Sequence, residues 1–137
     1  MSFRGVAPMK TMSQKYLERA AGRVAGAEGK EWSKIYGGLC HSFPVLVRTA
    51  GLAQAVAYHT SKAAGSSGGG ARKCAHARII EDYKDLLPNF NIEEAELREY
   101  MAATRSVLAA WIFYKRFAVS ILKAEGANVA DDGQGGE

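Results

Sequence analysis

The sequence predicts an all-α fold: a single-domain helical bundle of about five to six helices, closed by a long C-terminal helix. Three observations carry that expectation. Ala, Leu, Lys, Glu and Arg recur at helical spacing; no stretch alternates in the Val-, Ile- and Thr-rich manner of a half-buried strand; and Gly or Pro punctuates the periodic segments. With 137 residues, 47% of them hydrophobic, the chain suffices for one core and is short for two.

The first helix is expected over residues 12–27, with Thr11 or Ser13 as N-cap and Tyr16, Ala20, Val24 and Ala27 repeating every three or four residues before Gly29. A short second helix fits residues 31–40 through Trp32, Ile35, Tyr36 and Leu39. Ser42 before Phe43-Pro44 reads as a stop and restart, because proline suits a first helical turn and breaks an interior one. That third helix is short, running to Gly51, a bend or helix junction; the next runs through Leu52, Ala55, Val56, Tyr58 and His59 to about residue 64. The run Gly65-Ser66-Ser67-Gly68-Gly69-Gly70 reads as a flexible loop, since glycine loses the most backbone entropy on ordering. Ile79, Ile80, Tyr83 and Leu87 mark a helix over 71–87 that Pro88-Asn89 ends. Asn91 is the expected N-cap of the final helix, with Glu94 completing a capping box and Gly126 terminating the helix after residue 125. Residues 1–9 are expected to be flexible and residues 126–137 disordered.

The formal net charge of +4 hides an asymmetry. Glu125, Asp131, Asp132 and Glu137 stand in the last thirteen residues without a Lys or Arg, leaving 18 cations against 10 acids in the body. Such a body suits phosphate backbones or acidic protein surfaces. No apolar run approaches the roughly 20 residues of a membrane-spanning helix, and the N-terminus carries no signal-like apolar segment, so a cytoplasmic protein with no membrane partner is expected. Cys40 and Cys74 form no CxxC motif and are read as reduced.

Catalytic chemistry finds little material. The Gly65–Gly70 run resembles the opening of a phosphate-binding loop, yet Ala71-Arg72 follows where Lys and then Ser or Thr would be needed. Cys40-His41 and Cys74-x-His76 lack the ligand spacing of a zinc site, because adjacent residues on a helix point about 100° apart. His59, beside Tyr58, reads as a packed or capping side chain, and no nucleophile–base arrangement can be assembled from three histidines. No catalytic residue, metal or cofactor is expected.

The final helix is the most informative segment. At about 100° per residue, Arg98, Arg105, Arg116 and Lys123 fall within about 20° of one another, a stripe roughly 37 Å long that no acid interrupts. Self-repulsion of like charges makes an anionic partner a natural reason for the stripe; the plain alternative is a solvated face with acids supplied by neighbouring helices. Leu97, Met101, Leu108, Trp111, Val119 and Leu122, with Tyr100, Val107, Tyr114, Phe117 and Ile121 alongside, are the expected core.

Two blocks carry a family resemblance. The first runs Phe43-Pro44-Val45-Leu46-Val47-Arg48-Thr49-Ala50-Gly51-Leu52-Ala53-Gln54-Ala55-Val56-Ala57-Tyr58 and on to Ser61-Lys62. The second is Thr104-Arg105-Ser106-Val107-Leu108, followed by Phe113-Tyr114-Lys115-Arg116-Phe117-Ala118. Together they resemble the small-subunit proteins of type III-B (Cmr) CRISPR effector complexes. Ala50 departs from the Asn frequent there, and Phe113 from the Trp. The resemblance implies a helical bundle without nuclease activity, stacked head to tail into a short filament within a ribonucleoprotein of antiviral defence. Its implied partners are other copies of itself, the backbone nuclease subunits, the large polymerase-like subunit, and the crRNA and target RNA.

Arg48, Lys62, Arg105, Lys115 and Arg116 combine charge with motif positions and are the expected RNA contacts, with Arg98 and Lys123 completing the stripe. The alternative is a small helical nucleic-acid-binding regulatory protein reading bases from the helix after Gly51. That helix offers only Gln54 and Lys62 as readers.

Overall fold

The computed structural model describes residues 10–65 and 69–123. It contains five helices and, among the described residues, no strand: α1 (Met12–Ala25), α2 (Ser33–Ala50), α3 (Leu52–Ala64), α4 (Gly70–Leu86) and α5 (Leu97–Ser120). Residues 1–9, the loop positions 66–68 and the tail from residue 126, for which flexibility or disorder is expected, lie outside the described residues. No described helix is long and apolar enough to cross a membrane.

Of the two expected caps, Thr11 rather than Ser13 starts α1: its hydroxyl accepts the Gln14 N–H, and the Gln14 side chain returns to the Thr11 N–H. Ala20, Val24 and Ala27 are buried, and Gly29 takes the left-handed conformation (φ +82°) that ends the segment. At the other junction, Gly51 sits at φ +94° between α2 and α3. It offers no side chain to cap α3. The missing acceptor comes instead from α5, where the Tyr100 hydroxyl takes the Ala53 N–H at 2.9 Å.

The expected break at Ser42-Phe43-Pro44 does not occur, and α2 is one continuous helix with Pro44 inside it. Tyr36, Cys40, Phe43 and Val47 lie on one buried seam of α2 spanning the proline. Burying a seam of that size outweighs the roughly 3 kcal/mol that an interior proline costs. The two helices expected at residues 31–40 and from Pro44 are therefore one, and the described residues hold five helices, within the expected five to six.

α5 begins later than Asn91 suggests. Asn91 Oδ1 accepts the Glu93 N–H across a local turn, and Glu96 is the N-cap, in a capping box with Glu99. Both segments offer capping chemistry, and the one at Glu96 starts the helix. The helix ends at Ser120; Glu125 and Gly126, the expected terminus, lie outside the described residues.

α2 is the central element, packing against α3, α4 and α5, while α1 lies along α5. Where Phe43 meets α5, Trp111 is tilted against it (centroids 4.7 Å apart) and stacks on Tyr114 (4.3 Å). A buried polar clasp joins α1 and α2 to α4. Asp82, with no exposure, accepts from the Tyr36 hydroxyl and from Arg23 Nε at 2.8 Å, and Arg78 Nη2 donates to the Arg23 carbonyl at 2.8 Å. At the rim Arg19 pairs with Asp85 at 2.6 Å.

Candidate nucleic-acid interface

The expected RNA contacts divide into three groups. Arg48 stands exposed in the last turn of α2, and Lys62 in the last turn of α3, its ammonium 5.6 Å from the Tyr58 ring centroid. On α5, Arg98, Arg105 and Arg116 are exposed and share one face, with Arg116 5.5 Å from the Phe113 ring centroid. Lys115 is half-buried, and its charge helps push the His41 imidazole below its ordinary range, behind burial as the main cause.

Lys123 leaves the stripe. It lies beyond the end of α5 with a left-handed backbone (φ +61°), so helical periodicity no longer sets its direction. The remaining guanidiniums, Arg98 to Arg116, span about 27 Å along the axis.

Among the described residues the ion pairs fall elsewhere: Lys10, Arg19, Arg23 and Arg78 take Glu18, Asp85, Asp82 and Glu81 as partners. None of the seven expected contacts pairs with a described carboxylate. Arg23 of α1 and Arg78 of α4 serve the clasp, and the arginines of α5 remain available to a partner.

The face beside the arginines differs from the expected core. Leu97 (74% exposed), Met101 and Val119 point outward with Ile112; within helical geometry the four occupy an arc of roughly 60° next to the arginine stripe. The residues of α5 that do reach the interior are Ala103, Val107, Ala110, Trp111, Tyr114 and Ala118, because α1 and α2 supply the main packing against this helix.

Periodicity also missed a pair of histidines. His59 of α3 and His76 of α4, both buried, bring their Nδ1 atoms to 2.8 Å, so one ring donates and the other accepts. Burial, reinforced by His76, holds His59 down to about 4, and burial lowers His76 as well. The pair is neutral near pH 7. The two lie 17 positions apart on different helices, so no local spacing announces them. Cys40 is buried and Cys74 exposed, and no group of three potential metal ligands gathers among the described residues.

Residues 12–121 match the family model described as "CRISPR-associated protein (Cas_Cmr5)". This chain belongs to the Cmr5 family. Among curated proteins it is similar to the "CRISPR system Cmr subunit Cmr5" of Thermus thermophilus, 34% identical over 122 residues, covering 84% of this chain and 99% of the relative. Among solved structures it is similar to a crystal structure of a CRISPR-associated Cmr5 family protein, also from Thermus thermophilus. The TM-score is 0.68 at 34% identity, covering 83% of this chain and 99% of that one. Both motif blocks, which run from Phe43 to Lys62 and from Thr104 to Ala118, lie inside the Cmr5 match.

Proposed function

We propose that this Cmr5-family chain is a non-catalytic small structural subunit of a type III-B CRISPR ribonucleoprotein in the cytoplasm, stacking into a filament and contacting the crRNA and target RNA backbone in antiviral defence. Its partners are further copies of itself, the backbone nuclease subunit and the large polymerase-like subunit. The observation that carries the reading is the face of α5. Arg98, Arg105 and Arg116 stand exposed on one side with no described carboxylate in ion-pair reach, so they retain their charge for phosphates. The apolar flank of Leu97, Met101, Ile112 and Val119 beside them supports a protein neighbour on the same side.

Each subunit offers only a few phosphate contacts, and stacking repeats them along the strand. Linked sites gain by effective concentration, so the assembly binds RNA far better than the isolated chain. Replacing Arg105 and Arg116 together by Glu leaves the helical fold intact, because both side chains are exposed. RNA association of the assembled complex should weaken to a similar extent for all sequences. The salt slope of the affinity should flatten by about 1.4, at about 0.7 for each single-strand phosphate no longer neutralised. An unchanged affinity and slope with assembly intact would assign the stripe to a protein interface.

A further inference from the structure

A cleft of about 370 Å³ opens between α2 and α3, within the range of pockets that hold small ring systems. Leu39, Val45 and Leu46 give it apolar walls, Tyr58 an aromatic one, and His41 and His59 the polar edge. The two remaining lining hydroxyls are already engaged: Thr49 Oγ1 donates to the Val45 carbonyl at 2.9 Å and Ser42 Oγ to the Leu39 carbonyl at 3.4 Å. The imidazoles are different. His59, only 1% exposed, commits Nδ1 to His76 and leaves Nε2 buried without a partner, and Nε2 of His41 is likewise buried and unpartnered. Two unmatched ring nitrogens at one cleft are unfavourable unless something supplies hydrogen bonds to them.

The surroundings select the kind of ligand. No Asp or Glu occurs between Glu31 and Glu81, so both helices that form the cleft are free of acids along their whole length. Lys62 reaches over Tyr58 from one side, and Lys115 lies near His41 on the other. An aliphatic side chain would leave the nitrogens unmatched, and an acidic peptide would leave the aromatic and apolar walls unused. A planar heterocycle with hydrogen-bonding edges on an anionic strand uses all three features.

We propose that this cleft takes a single unpaired nucleobase of an RNA strand, its edge hydrogen-bonded to Nε2 of His41 and His59 and the strand's phosphates running over Lys62 and Lys115. The base enters past Tyr58, which is half-exposed and packs its ring against His59 with centroids 5.0 Å apart. The proposal rests on the RNA-contacting reading above and adds a base contact to what is otherwise backbone binding.

The test follows the imidazole nitrogens of His41, His59 and His76 by NMR in the full chain, titrated separately with adenosine monophosphate, uridine monophosphate, ribose phosphate and N-acetyltyrosinamide. The nucleotides should shift His41 and His59 and saturate, and ribose phosphate should leave both in place. Val45→Trp fills the cleft from an exposed position and should weaken nucleotide binding at least about tenfold. His41→Phe, a second variant that removes one hydrogen-bonding edge, should also weaken it. Equal shifts with ribose phosphate, or nucleotide affinities untouched by both variants, would overturn the proposal. Binding of N-acetyltyrosinamide in place of the nucleotides would overturn it too, by making the cleft a socket for a protein side chain. If these results go against the cleft while the assembled complex still loses RNA on Arg105 and Arg116 reversal, the backbone reading stands and only the base site falls.

Discussion

Asp82 shows how one side chain can tie three helices together. Its carboxylate is fully buried in α4, and it holds Tyr36 of α2 and Arg23 of α1. Burial pushes the carboxyl up to about 6, while the Tyr36 hydrogen bond and the Arg23 charge pull it down. Because the folded value lies above the ordinary 3.8, the native protein holds a proton between those limits that the unfolded chain has released. The contribution from titration is thus complete below 3.8 and disappears as pH rises through about 6. Asp82→Asn cannot titrate. In urea unfolding, wild type should therefore gain stability relative to Asp82→Asn on going from about pH 7.5 to about pH 5. A relative loss over that range would show that pairing with Arg23 outweighs burial.

At the scale of elements, helix ends are decided by whichever group reaches the free backbone atoms. α3 has a glycine at its N-cap and takes its acceptor from Tyr100, 47 positions away on α5. Tyr100→Phe removes that acceptor and keeps the ring, so it should cost about 1 kcal/mol and speed amide exchange at Ala53. Exchange at Ala53 as slow as in wild type would mean that the N-terminus of α3 is held by something else. Pro44 and Asn91 teach the same point from the other side. Both are sound local signals for a helix boundary, and each loses to a competitor: the buried seam of α2 in one case and the Glu96–Glu99 box in the other.

Over the whole molecule, burial depends on how many neighbours a helix has. Trp111 and Ile112 are adjacent on α5, yet Trp111 is fully buried between Phe43 and Tyr114 and Ile112 is 55% exposed. Trp111→Ala should cost about 3–5 kcal/mol in equilibrium unfolding, whereas Ile112→Ala should stay within about 0.5 kcal/mol. Comparable losses at both positions would contradict the packing of α5.

What the sequence determined by itself was local: the all-α class, a cap at Thr11 or Ser13, a break at Gly51, the 52–64 helix, the arginine stripe from Arg98 to Arg116, and the two motif blocks that point to the family. Helical periodicity and capping depend on residues a few positions apart, so they can be read without knowing the fold. The tertiary structure alone decided that α2 runs through Pro44, that Leu97, Met101 and Val119 face outward, that His59 meets His76, and that His41 and His59 share a cleft. Each of these turns on which surfaces of different helices meet, and that is set by the burial of the whole core, which no single segment encodes.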